Sequence, residues 1–281
     1  MKVKILIDSA SDINAEEANE LGVELIPIEI RFGEEQYLDG VTMKPAQFYD
    51  KLIESADLPK TSQINSFTFE EKFKSLVEQG YDVVAIILSS KLSGTYRNAL
   101  SASEKFKGKV YVVDSLNASI GERLLCEYAL KLKEEGFDAK LIAQSLDKVK
   151  NKINFIALLD TLLYLKKGGR ISAVTAFAGQ ILSIKPVVGV IGGEVKLIGK
   201  AIGSKKGNNL LRTLISGKNI DFTMPYGTIY SGTDDSKLKT YIRDSEEIWK
   251  DKTKSIPVHI LGCTIGTHIG PDAIGVAFFE K

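Results

Sequence analysis

Short apolar runs alternate with helical patterns through the first half of the chain. Val3 to Ile7 is a compact apolar run that passes straight into Asp8-Ser9-Ala10-Ser11-Asp12 and predicts a strand. A helix is expected next, capped by Asn14, with Glu16 and Glu17 in its first turn and Gly22 at its end. Val23 to Phe32 reads as a second strand closed by the turn Gly33-Glu34-Glu35. Pro45 starts a helix with Phe48, Leu52 and Ile53 on one face, and Phe69, Phe73, Leu76 and Val77 recur at helical spacing between Thr68 and Gln79. Val83 to Leu88 is a strand entering the loop Ser89-Ser90-Lys91-Leu92-Ser93-Gly94. Thr95 to Phe106 is helical, Val110 to Val113 is a strand ending at Asp114-Ser115, and a long helix follows.

Three apolar strands thus end in small polar loops at Asp8, Ser89 and Asp114, each followed by a helix. That repetition predicts a parallel sheet covered on both faces, with any ligand outside the carboxyl ends of the strands. After residue 150 the rhythm changes. Ile153 to Leu159 and Pro186 to Ile191 read as strands, and Gly192-Gly193 joins the latter to Val195–Ile198 as a hairpin. Ala173 to Leu182 is apolar and small. Further strands at Thr228–Tyr230, Val258–Leu261 and Ile274–Phe279 flank helices near Lys205–Ser216 and Ser236–Lys250. The expectation is an α/β protein of two domains: residues 1–150 with a parallel sheet, residues 151–281 with a mixed sheet.

Composition narrows the function. Across 281 residues, 37 Lys and Arg face 36 Asp and Glu, a net charge of +1, which supplies no bulk field for nucleic acid. Hydrophobic residues make up 44%, enough for a core. The two cysteines, Cys126 and Cys263, and two histidines, His259 and His268, are too few and too dispersed for a zinc cluster or a disulfide framework. The early charges at Lys4 and Asp8 interrupt any signal-like run, and no window approaches ~18 consecutive apolar residues, so a cytoplasmic protein is expected.

Candidate chemistry is mostly in the loops. No GxGxxG or GxxxxGK[ST] motif is present. Ser93 lacks the first glycine of a GxSxG elbow, and His268 reads equally as a hydrogen-bonding loop residue. Asp8 and Asp12 admit a metal or acid–base pair, although a carboxylate at a strand end more often ties its loop through backbone N–H groups. Gly168-Gly169-Arg170 reads either as an anion-binding turn or as a solvated helix cap. Ser89, Ser90, Ser93 and Thr95 crowd one loop and Thr61-Ser62-Gln63 forms a second hydroxyl cluster, chemistry suited to holding a carboxylate or phosphate.

In order along the chain, these clusters resemble the DegV family. The resemblance is carried by Asp8-Ser9-Ala10-Ser11-Asp12, Thr61-Ser62-Gln63, Ser89 to Tyr96, Val113-Asp114-Ser115, Leu165 to Ser172, Ile184-Lys185-Pro186-Val187 and His268-Ile269-Gly270-Pro271. The family pattern has Pro where this chain has Ile64. It reads His-Thr-Gly-Pro-Gly where this chain has Ile269 and Asp272. The resemblance implies a binder of one long-chain fatty acid, its tail in an apolar tunnel contributed by the C-terminal domain. Thr61 and Ser93 would hydrogen-bond the carboxylate, with Ser62, Gly94, Thr95 and His268 nearby. Arg170 would serve acyl-phosphate formation or partner contact. Members act as the lipid-binding subunit of a bacterial fatty acid kinase, which implies an ATP-dependent kinase subunit as partner, transient membrane contact, and no cofactor, metal or catalytic residue of the chain's own. The alternatives are a stand-alone acyl hydrolase or transferase, and a carrier of another hydrophobic ligand.

Overall fold

The computed structural model describes residues 2–55, 57–171 and 183–281; the apolar run Ala173–Leu182 lies outside the described residues. The chain begins with β1 (Lys2–Asp8), α1 (Ala15–Leu21), β2 (Glu24–Ile26), β3 (Glu29–Phe32), β4 (Glu35–Leu38) and α2 (Pro45–Glu54). It continues through β5 (Lys60–Ser62), α3 (Ser66–Glu78), β6 (Tyr81–Ile87), α4 (Thr95–Ser103), β7 (Val110–Asp114), α5 (Ile120–Glu134) and α6 (Ala139–Val149). β2, β1, β6 and β7 form a parallel sheet in that order. The order reverses direction between β1 and β6, which opens a crevice at their carboxyl ends. All but the first residue of β6 are buried, as a strand covered on both faces requires. The helix pairs α3–α4 and α5–α6 supply the cover.

The expected single strand over 23–32 is two strands. Pro27 has no N–H to continue a ladder, and the chain changes sheets there. β2 pairs with β1, whereas β3 joins β4 and β5 in a small antiparallel sheet that the sequence pattern did not predict. Within it Thr61 lies opposite Ile30. A fixed strand therefore carries the first hydroxyl cluster.

The second half contributes β8 (Ile153–Leu158), α7 (Leu163–Lys167), β9 (Ile184–Ile191), β10 (Glu194–Ile202), α8 (Ser204–Ser216) and β11 (Tyr226–Tyr230). After them come α9 (Ser236–Asp244), α10 (Glu246–Trp249), β12 (Val258–Ile260), α11 (Cys263–Ile269) and β13 (Ile274–Phe279). The helix expected over 236–250 breaks at Ser245, whose Oγ donates to the Tyr241 carbonyl and accepts from Trp249 Nε1. The six-stranded sheet runs β10-β9-β8-β13-β11-β12, antiparallel except for the β11–β12 pair. Its two faces follow the strand period of two. Ile156, Leu158, Ile274, Val276 and Phe278 pack with Leu211, Ile215 and Tyr241 into a core of their own. Phe155, Ala157, Ala273, Ala277 and Phe279 face the other way, into the core shared with the first half. α5 lies between the sheets, touching β1 and β6 on one side and β8, β11 and β13 on the other.

Phe278 is fully buried in the core remote from the shared face. Phe278→Ala should therefore lower folding stability by about 3–5 kcal/mol, read as an earlier urea midpoint by circular dichroism. An unchanged midpoint would contradict this packing.

Candidate functional site

A cavity of about 310 Å³ lies between the two halves, within the usual size range of small-molecule sites. Its polar side chains are held by hydrogen bonds. Thr61 Oγ1 is 3.1 Å from His268 Nε2, which joins β5 to α11. Ser93 Oγ is 2.9 Å from Thr95 Oγ1 and accepts from Thr95 N at 3.2 Å. Arg170 donates from Nη1 to the Gly168 carbonyl at 2.6 Å and from Nε to the Leu92 carbonyl at 3.3 Å. The guanidinium is thus fixed by backbone oxygens from two separate loops. The lining also includes the apolar side chains of Leu88, Leu92, Phe155, Val190, Val195 and Ile269.

The structure brings Thr61, Ser62, Ser93, Gly94, Arg170 and His268 to this one cavity. Thr95 is fully buried and is not part of the lining. Its hydroxyl accepts from Ile64 N at 3.3 Å, and Asn98 Nδ2 donates to the Ile64 carbonyl at 2.7 Å. Thr95 thereby ties the Thr61 loop to the Ser93 loop. Two glycines are set by close approach. A Cβ on Gly94 would collide with Gln63 Oε1, and one on Gly168 with His268 Nδ1.

His268 is held neutral at neutral pH. Burial and the neighbouring Arg170 charge push its pKa down to about 4. Nδ1 makes no hydrogen bond among the described residues. A proton on Nε2, donated to Thr61 Oγ1, leaves a lone pair rather than an N–H unpartnered at Nδ1.

Sequence reading missed how α11 is anchored. Gly262 N donates to Asp12 Oδ1 at 2.8 Å, Cys263 N to Asp39 Oδ1 at 3.0 Å and Thr264 N to Asp39 Oδ2 at 2.9 Å. Two buried carboxylates from the first half thus take up free N–H groups at the start of the helix that presents Thr264, Ile265, His268 and Ile269 to the cavity. Asp12 Oδ2 also accepts from Ser119 Oγ at 2.5 Å. Ser119, at φ 59°, lines the cavity itself. Asp8 accepts from Ala10 N at 2.8 Å and Leu88 N at 2.9 Å, tying the end of β1 to the end of β6. These bonds give Asp8 and Asp12 a structural part, and among the described residues no acidic, histidine or cysteine cluster has metal-binding geometry.

Compared with known proteins, the profile described as "Uncharacterised protein, DegV family" matches residues 2–281. A DegV domain-containing protein of Caldanaerobacter subterraneus is 34% identical over 284 residues, covering 100% of this chain and 99% of the relative. Among solved structures, a DegV family protein of Thermus thermophilus, described by its fatty acid binding, superposes with a TM-score of 0.87 at 29% identity over the whole of both chains. A stearic acid-binding protein of Eubacterium ventriosum superposes with a TM-score of 0.87 at 27% identity, covering 99% of this chain and 98% of the other. No helix among the described residues is long and apolar enough to cross a membrane.

The buried acids make stability depend on pH. Burial pushes Asp8 up to about 7 and Asp12 up to about 8. A carboxyl that holds its proton more tightly in the fold than in the unfolded chain contributes fully below about pH 4. That contribution is lost as pH rises through about 8. Asp12→Asn keeps the acceptor for Gly262 N and removes the titration. It should flatten the decline in unfolding free energy between pH 4 and 8 by up to about 1.4 kcal/mol per pH unit. Urea titrations across that range check this, and parallel pH curves for the two proteins would refute it.

Proposed function

We propose, from the premise that this chain belongs to the DegV family, that it binds one long-chain fatty acid and presents its carboxylate to a separate ATP-dependent kinase subunit. The observation that carries the reading is one cavity whose lining combines hydrogen-bonded Thr61, Ser93 and His268 with a larger set of apolar side chains. With the His268 proton on Nε2, the Thr61 hydroxyl hydrogen remains for an incoming carboxylate oxygen, and Ser93 supplies a second donor. In the same reading residues 1–150 form the head-group domain and residues 151–281 supply the far wall of the acyl tunnel. The tail supplies affinity: about 14 methylenes at roughly 0.8 kcal/mol each give on the order of 11 kcal/mol before the costs of binding. A protein of net charge +1 thus needs no strong field to hold an anion with so long a tail.

Arg170 fits presentation better than capture. Two carbonyls orient its guanidinium while Nη2 makes no hydrogen bond among the described residues, leaving donors for charge that develops as phosphate arrives. A stand-alone hydrolase is less well supported, since Ser93 Oγ is paired with Thr95 and His268 Nε2 with Thr61.

Native mass spectrometry of the purified protein should find about one fatty acid per chain. Removing a hydrogen bond to a charged group costs about 1.5–3 kcal/mol. Thr61→Ala and Ser93→Ala should therefore weaken fatty acid binding about 10- to 150-fold, with a much smaller effect on the matching fatty alcohol. Equal losses for acid and alcohol would make both residues packing elements. Arg170→Ala should bind fatty acid within a few-fold of the unsubstituted protein yet lose most acyl-phosphate formation with a kinase subunit. Unchanged phosphorylation would remove Arg170 from the reaction.

A further inference from the structure

Beside the main cavity lies a second, of about 30 Å³, whose lining includes Ala157, Gly189, Ala273 and Gly275. Phe155, Val190, Val195 and Ile269 line both cavities and therefore stand at the boundary between them. Phe155 is the largest of the four. On the sheet face around its ring, Ala157, Ala273 and Gly275 carry little or no side chain. The ring rests directly on one of them: a Cβ on Gly275 would lie 2.8 Å from Phe155 Cε2 and 3.2 Å from Ile229 Cγ2.

We infer that Phe155 sets the upper limit on acyl length by closing the main cavity off from the apolar space behind it. This rests on the fatty-acid reading above and adds to it which acids are accepted. The physical argument concerns where burial stops. Each methylene added within the main cavity gains about 0.8 kcal/mol, a factor of about four in affinity. Once the terminal methyl meets the Phe155 ring, a further methylene must displace a packed aromatic group or stay outside, and the gain ends. Truncating Phe155 joins the two spaces. Adding a methyl at Gly275 should do the reverse, by pressing the ring away from β13, which is held between β8 and β11.

The test is a series of saturated acids from ten to twenty carbons titrated into delipidated protein by calorimetry. For the unsubstituted chain affinity should climb about four-fold per carbon and then level off. In Phe155→Ala the levelling point should move to longer acids by at least two carbons, and in Gly275→Ala to shorter ones. Thermal melts identify a variant that has lost its fold, and Phe155→Leu, which keeps an apolar side chain of smaller reach, then stands in for the alanine variant. Folded variants that bind fatty acids with an unmoved levelling point would overturn the limit assigned to Phe155 while leaving the fatty-acid reading intact. Failure of the unsubstituted protein to bind any acid of the series would overturn that reading, and this limit with it.

Discussion

Two carboxylates withdrawn from solvent hold the molecule's two halves in register. Asp12 and Asp39 come from the first half, yet their oxygens take the N–H groups of Gly262, Cys263 and Thr264 at the start of α11. Such groups would otherwise be buried without partners, at about 1–3 kcal/mol each. The arrangement has its own cost, because the two acids repel one another and burial resists their ionisation. What it secures is position. α11 carries His268 to Thr61 and Ile269 to the boundary between the two cavities.

The cavity follows from this clamp together with two features of the β-sheets. The crevice where the order of the parallel sheet reverses gives one wall, with Asp8 bonded across it to Leu88 N. The six-stranded sheet gives the other, through Phe155, Val190 and Val195. Residues of both halves, polar and apolar, meet in this lining. The lining draws its polar side chains from β5, the loop before α4, and α11, and apolar ones from those loops and helices as well as from β8, β9 and β10.

Much of this was legible in the residues. The strand–loop–helix repetition revealed the parallel sheet, and the hydroxyl clusters at Thr61 and Ser93 converge on one cavity. What escaped depended on distance along the chain or on direction in space. Asp39 and Cys263 are 224 residues apart, and no local pattern links an acid in one turn to a helix start so remote. Thr95 belongs to the same cluster as Ser93, but the first turn of α4 directs it inward to Ile64. Phe155 read simply as part of an apolar strand. Its special position comes from Gly275 on β13 beneath its ring, together with Ala157 and Ala273. Pro27 was the local signal available and unused, since a residue with no N–H marks where a ladder must stop.

The order in which the strands pair carries a consequence for biosynthesis. β13 is the last of the described strands along the chain, yet it sits between β8 and β11 inside the six-stranded sheet. During translation, β8 and β11 emerge with one ladder edge each unpaired, and the apolar face that includes Phe155 has no neighbour on that side. The nascent C-terminal half therefore remains a sticky, incomplete sheet until nearly all of this sequence has left the ribosome. Chaperone dependence of the protein in a cell would fall on that interval, and premature termination upstream of Ile274 would yield an aggregating fragment rather than a shortened binder.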